Sequence, residues 1–281
     1  MSPRPIGLLL RAARDRLQAA GCEQAALDAR LLLQAAAGLS HGEIAAEPER
    51  LISEVAQERF ESYVTRRGAR EPVSRILGAR EFYGRRFRVT PDVLEPRPDT
   101  ETLIAAALAV MTPGARILDL GTGSGAIIIT LLAERTDATG VATDISAAAL
   151  SVAKANAAAL GVGSRLAFRL GDWFEPIQGR FDLIVSNPPY IPAGEIAGLA
   201  PDVRAFDPLT ALDGGADGLE PYRRIATGAG SHLEASGRVL VEIGAGQGDA
   251  VTAIFGEHGF THVGRHPDLG GHLRCLGFRH A

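Results

Sequence analysis

Lysine is almost absent from this chain. Lys154 is the only lysine among 29 basic residues, a bias that, with the heavy use of alanine, reflects GC-rich coding and carries no functional reading. Cysteine is scarce as well. Cys22 and Cys275 stand far apart, which fits neither a metal-ligand spacing nor a disulfide framework. They read as ordinary thiols in a reducing cytoplasm, and no metal is expected. No apolar run reaches the roughly 18 residues that a membrane span needs. The longest, Ile127 to Ala133, is bounded by Gly125 and Glu134. The opening MSPRPIGLLLRAARDRL mixes arginine into its apolar stretch and has no signal-peptide core. Positive charge is also lacking: the net charge is −4, which argues against wrapping a large nucleic-acid surface while leaving room for a local basic patch.

What is present is enough apolar residue, 46% of 281, for two domains or one large one with an appendage. The chain reads in two halves. Residues 1–78 are helical. Ile6, Leu10, Ala13 and Leu17 share one face at three- and four-residue spacing, and Ala25, Ala29, Leu32, Leu33 and Ala36 repeat the pattern. Gly38 is a helix stop, Ser40 with Glu43 resembles a capping box, and Ile52, Ala56, Phe60 and Tyr63 mark a third helix. A small bundle is predicted. Residues 79–95, AREFYGRRFRVTPDVLE, alternate around Gly84 and predict a linking β-hairpin. From residue 96 to the end, strands alternate with helices: ARILDLG, TGVATD, RLAFRLGD, FDLIVSNP, GRVLVEIG and two closing segments are strands, with helices over about 126–134 and through SAAALSVAKANAAALG. That alternation predicts a mostly parallel, doubly wound α/β sheet.

Chemistry enters at the strand ends. ILDLGTGSGA runs from a strand through Gly121, Thr122, Gly123, Ser124 and Gly125 into a helix, a turn in which a ligand can approach the backbone closely. Asp144 ends the next strand, about 20 residues on, where a carboxylate reaches ribose hydroxyls. Gly121-x-Gly123-x-x-Ala126 fits a dinucleotide as well as a nucleoside cofactor. Two features favour the second. Asp119 would oppose a pyrophosphate but suits an ammonium or sulfonium charge. Asp172 with Trp173, and then Asn187, recur at later strand ends on the same carboxyl edge, so that an adenine ring could rest on Trp173 or be held by Asp172. A second glycine cluster, EIGAGQG, lacks a following acidic strand end and reads as a turn near the sheet edge.

FDLIVSNPPYIP is the most telling stretch. Asn187 precedes a proline and is held extended. Pro188 and Pro189 fix φ and have no N–H. The loop therefore offers carbonyl oxygens, and with the Asn187 side-chain oxygen it makes a rigid pair of acceptors for a planar NH₂ group, with Tyr190 over its flat face. An amide nitrogen is a poor nucleophile because its lone pair is delocalised. Accepting both its protons raises electron density on nitrogen and orients the lone pair toward a cationic methyl donor, and positioning carries much of the rate.

These segments together resemble the class I S-adenosylmethionine-dependent methyltransferases of the N5-glutamine type, the PrmC/HemK family of peptide chain release factor methyltransferases. The resemblance rests on EFYGRRFRV, EPRPDTE, ILDLGTGSGAI, ATDIS, GDWF, FDLIVSNPPYIP, FDPLTALDGGADGL and DLGGHLRCLGF. It implies a Rossmann-like methyltransferase domain behind a helical substrate-recognition domain. It implies that Gly121 to Gly125, Asp144, Asp172, Trp173 and Asn187 bind S-adenosylmethionine, released as S-adenosylhomocysteine. Asn187, Pro188, Pro189 and Tyr190 would hold the glutamine amide of the Gly-Gly-Gln loop of class I release factors, with Arg97 to Thr100 walling the pocket. One departure is Glu95, where the family often has an aliphatic residue. The tetrapeptide alone also occurs in nucleic-acid adenine-N6 methyltransferases, the main alternative, which would need a basic groove with stacking aromatics. A non-catalytic adaptor and an NAD-dependent enzyme are weaker alternatives. A stable nucleic-acid or membrane partner is not expected.

Overall fold

The computed structural model describes residues 3–280, which form two compact units: the chain as far as Gly78 together with Ala200–Phe206, and Ala79–Leu199 with the chain from Asp207 onward. In the first, α1 (Ile6–Ala19), α2 (Ala25–Ala37), α3 (His41–Ala46), α4 (Glu54–Gly68) and α5 (Val73–Leu77) pack as a bundle. Its core holds Ile6, Leu9, Leu17, Leu32, Leu33, Phe60 and Val64. α2 stops at Gly38, whose φ of 67° is left-handed. The capping box is formed: the Ser40 Oγ accepts from the Glu43 N–H at 3.2 Å, and the Glu43 carboxylate accepts from the Ser40 N–H at 2.8 Å. α3 and α5 add to the three helices read from sequence. At six and five residues they are too short to show a 3.6-residue period.

A buried ion cluster ties this unit together. Arg67 donates to Asp28 at 2.7 Å and to Asp202 at 3.0 Å, and Arg70 also donates to Asp202. Asp202 thus anchors the 200–206 segment, which lies far along the chain in a stretch whose sequence offers no sign of belonging to the bundle.

The second unit opens with the hairpin of β1 (Ala79–Phe82) and β2 (Arg85–Arg88). There follow α6 (Glu101–Val110), β3 (Arg116–Leu120), α7 (Ala126–Glu134), β4 (Thr139–Asp144), α8 (Ala147–Ala159), β5 (Leu166–Leu170) and β6 (Phe181–Ser186). After α9 (Pro201–Phe206), which packs in the first unit, come α10 (Glu220–His232), β7 (Leu233–Glu242), α11 (Gly248–Glu257), β8 (Phe260–Pro267) and β9 (Leu273–His280). The seven strands run in the order β5-β4-β3-β6-β7-β9-β8. β3 to β7 are mutually parallel, and β9 is antiparallel to both β7 and β8. The mostly parallel α/β fold read from sequence is therefore the one observed. Two large apolar cores fill the unit, one including Ile128, Leu131 and Leu183, the other including Ile184, Tyr222 and Phe255, and a small third cluster joins Val89 and Val93 to Ala149 and Val152. The strand order reverses between β3 and β6. In such sheets ligands bind outside the carboxyl ends of the strands at that switch point, and the glycine loop and the Asn187 loop leave the sheet there.

Candidate active site

β3 delivers the chain into the glycine loop, and the loop is held from below by carboxylates. The Thr122 hydroxyl donates to Asp119 at 2.6 Å, and the Thr122 N–H donates to the Thr143 carbonyl at 2.9 Å. Asp144 accepts from the Gly123 N–H and from the Ser146 N–H, both at 2.9 Å. Gly125 caps α7 with a left-handed φ of 80°, which favours glycine. Burial raises the pKa of Asp144 against the pull of those N–H groups. Asp119 is fully buried and is pushed up to about 7, chiefly by desolvation.

On the other side of the switch point, β6 ends with the Ser186 hydroxyl donating to the Leu120 carbonyl at 2.8 Å. Asn187 follows, and its Nδ2 donates to the Thr100 Oγ1 at 3.2 Å. The rest of the loop is stapled to residues 212–215: the Ile191 N–H donates to the Leu212 carbonyl, the Gly214 N–H to the Ile191 carbonyl and the Ala193 N–H to the Gly215 carbonyl. Gln247 closes it from a third direction, its Nε2 donating to the carbonyls of Tyr190 at 2.9 Å and Gly218 at 3.2 Å. Gln247 belongs to EIGAGQG, so this second glycine cluster is a brace for the Asn187 loop. It follows β7, which pairs directly with β6 and lies inside the sheet.

Both loops open on one cleft, which is partly open to solvent. Its walls include Glu95, Arg97, Thr100, Gly121 to Ser124, Asp144, Asp172, Trp173, Asn187, Pro189, Pro208 and Thr210. Arg97 is wedged between carboxylates, 3.1 Å from Glu95 and 2.8 Å from Asp207. The departure at position 95 thus becomes an ion-pair partner for Arg97. Segments remote in sequence (95–97, 100, 121–124, 144, 171–173, 187, 189, 208, 210–211) converge here. Residues 9–78 match the PrmC N-terminal domain family and residues 98–199 the methyltransferase small domain family. A release factor glutamine methyltransferase of Cereibacter sphaeroides is 54% identical over 96% of this chain and 96% of its own length. That of Agrobacterium fabrum is 49% identical over 95% of each. The chain belongs to the release factor glutamine methyltransferase family. A solved methyltransferase from Pyrococcus furiosus, 18% identical, aligns over 70% of this chain and 90% of its own with a TM-score of 0.54, a likeness of fold alone.

Within this release factor glutamine methyltransferase fold, the residues singled out from sequence divide into those that line the cleft and those that do not. Gly121, Thr122, Gly123, Ser124, Asp144, Asp172, Trp173, Asn187, Pro189 and Arg97 line the cleft. Gly125, Pro188 and Tyr190 do not line it. Gly125 turns the chain into α7. Pro188 is buried. Tyr190, half-buried, packs on the apolar cluster around Tyr222. Asp119, read as the partner of a ligand cation, lies under the loop and outside the lining, with Thr122 as its partner. Asp172 is paired with Arg224. Trp173 both lines the cleft and packs on the core, at a φ of 44°. Sequence reading missed Asp207, Gln247 and Glu242. Glu242, an acid ending the apolar run GRVLVE beside the Asn187 loop, was the one with a visible signal. Among the described residues no cluster of three or more His, Cys, Asp or Glu is placed to hold a metal, and no helix is long and apolar enough to cross a membrane.

Proposed function

We infer that this chain methylates the side-chain amide nitrogen of a glutamine in class I peptide chain release factors, at their Gly-Gly-Gln loop, in the cytoplasm. The reading is carried by the meeting of Asn187 and Pro189 with the glycine loop on one cleft, in a chain so similar to named release factor glutamine methyltransferases. The cleft suits S-adenosylmethionine. It has carboxylates at Asp144 and Asp172, an indole at Trp173, a close backbone approach at Gly121 and Gly123, and apolar walls from Val93, Ile127 and Ile145. Asp144 would hold the ribose and Trp173 the adenine, and the bound cofactor supplies a methyl group on a cationic sulfur. On the chain's side, Asn187 and the proline carbonyls accept the two amide protons of glutamine. That raises electron density on nitrogen and fixes its lone pair toward the methyl group. The proton leaves after transfer, when the nitrogen has become positive. Arg97, held by Glu95 and Asp207, stiffens the wall where the peptide would enter.

The test is mass spectrometry of release factors incubated with the protein and S-adenosylmethionine, which should show one added methyl on the Gly-Gly-Gln glutamine. Asn187→Ala should lower turnover by about two orders of magnitude or more while the protein still folds. Near-native turnover would show that the tetrapeptide is only a turn. The helical unit is read as the module that grips the release factor, since a small amide pocket cannot by itself select one protein glutamine.

A further inference from the structure

We propose that Glu242 is a positioning residue for methyl transfer: from the end of β7 its carboxylate holds the Asn187 amide with Nδ2 turned inward, leaving Oδ1 for the substrate. The proposal rests on the reading of Asn187 given above. Ser186 and Val241 are paired in the parallel register of β6 and β7, so Asn187 and Glu242 leave neighbouring strands side by side at the carboxyl edge. Glu242 is only 3% exposed, and its Oε2 has no partner. The side chains of Thr100 and Asn187 are the polar neighbours that pull the pKa of its carboxyl down, and Asn187 Nδ2 donates to the Thr100 Oγ1 at 3.2 Å. A hydroxyl has one proton. With Thr100 accepting from Asn187, that proton is free to point at Glu242, giving a directed chain from amide to hydroxyl to carboxylate. An ionised carboxylate only accepts. If Asn187 flipped, its Oδ1 would meet an acceptor in a buried site, which is costly. The chain also polarises the Asn187 amide and makes its oxygen a stronger acceptor.

The surroundings fix the carboxyl without neutralising it. The Tyr222 hydroxyl donates to the Glu242 carbonyl at 3.0 Å, pinning the strand end. Arg274 is the nearest cation, but it is already paired with Asp99 at 3.1 Å and Asp268 at 3.0 Å. Asp99, Tyr190, Tyr222 and Cys275 are the other titratable groups around it, and none carries a positive charge. Burial first, and Asp99 second among the groups that act in the same direction, raise the Glu242 pKa to about 7. The sign follows. Above that pH the carboxylate accepts only and Asn187 has one orientation. Below it the carboxyl gains an O–H that can donate to a flipped Oδ1, and the selection is lost. Turnover should therefore rise as pH increases through about 7.

Glu242→Gln in the full-length enzyme tests this. Turnover on a release factor would be measured from about pH 5.5 to 9, with KM for both substrates. The expected result is about a tenfold fall in kcat at the alkaline end, KM values within about twofold, and loss of the acidic limb near pH 7. In an Asn187→Ala background, E242Q should cause no further fall, because its effect runs through that amide. Native kcat and a native limb in E242Q would overturn the proposal, and so would an equal fall in both backgrounds. If E242Q does not fold, Thr100→Val carries the test. A similar kcat loss at unchanged KM supports the directed chain, and unchanged kcat overturns it. Native turnover in N187A alone would overturn the reading of the tetrapeptide, and this proposal with it. A crippled N187A beside a native E242Q overturns only the role of Glu242.

Discussion

Carboxylates are taken out of water in both units of this protein, and the helical unit treats its pair in the opposite way to three at the carboxyl edge of the sheet. In the helical unit Asp28 and Asp202 are matched by Arg67 and Arg70, at 2.7 and 3.0 Å from Arg67. Burial works against the charge of Arg67, and the two carboxylates restore it, so that its pKa is raised. Asp202 is likewise held down by Arg70 and Arg67 against its own desolvation. At the carboxyl edge of the sheet, Asp119 and Asp144 have no cation acting on them, Glu242 has only Arg274, which is paired elsewhere, and burial raises all three. Asp119 Oδ1 and Glu242 Oε2 have no partner at all. A charge that only holds shape is best neutralised inside the chain, since a buried pair breaks at high cost. Unmatched carboxyls beside a cleft are costly to folding and suit a ligand that brings the complementary charge or proton.

The matched cluster is where a single change should do most damage. Arg67→Met would leave Asp28, 7% exposed, with an uncompensated charge, and should cost about 3–5 kcal/mol. Denaturant unfolding followed by helical circular dichroism would read it. Adding Asp28→Leu should recover most of the loss, because both buried charges are then gone. A single variant as stable as the parent would show that the cluster is decoration and that the contrast between the units is empty.

The unmatched side should behave in reverse, affecting ligand binding more than folding. Asp144→Ala should weaken S-adenosylmethionine binding by about 1–3 kcal/mol, the scale of a charge-assisted hydrogen bond. Calorimetry measures it, and unchanged affinity would remove Asp144 from the cofactor site. A large loss of fold stability would place Asp144 with Asp28, as a structural acid whose work is to accept from Gly123 and Ser146.

How far the sequence carried this picture depends on how local the signal was. α7 and β4 were legible to the residue, because an apolar period and flanking glycines lie within one short window. The glycine loop and Asn187-Pro-Pro were legible for the same reason, since proline and glycine restrict the backbone wherever they stand. Gln247 was not. Its contact with Tyr190 spans 57 residues, and its own neighbourhood looked like a turn. Asp202 was invisible for a like reason: it is tied to Arg67 across 135 residues, and nothing near it predicts a partner in the bundle. Asp119 was seen but misplaced. Two residues of strand before Gly121 are enough to turn its side chain under the loop and away from the cleft, and spacing alone does not give that direction.

The smallest expected effect concerns what the helical unit offers outward beside its buried ion cluster. Leu27 and Leu31 lie one turn apart on α2 and are 46% and 37% exposed, and Leu8 on α1 is 41% exposed. Residues i and i+4 share a helix face, so Leu27 and Leu31 form a small apolar stripe with no charge of its own to steer a partner. If the helical unit grips the release factor, this stripe is where apolar contact is available. Leu27→Glu with Leu31→Glu should then raise KM for an intact release factor about tenfold, or about 1.4 kcal/mol. KM for a short Gly-Gly-Gln peptide and the affinity for S-adenosylmethionine should stay unchanged. The split between the two substrates is decisive, because a second contact made only by the whole protein is lost without touching the chemistry. Equal KM changes for peptide and protein would mean that the double variant had disturbed the cleft, and no change in either would mean that recognition does not use this stripe.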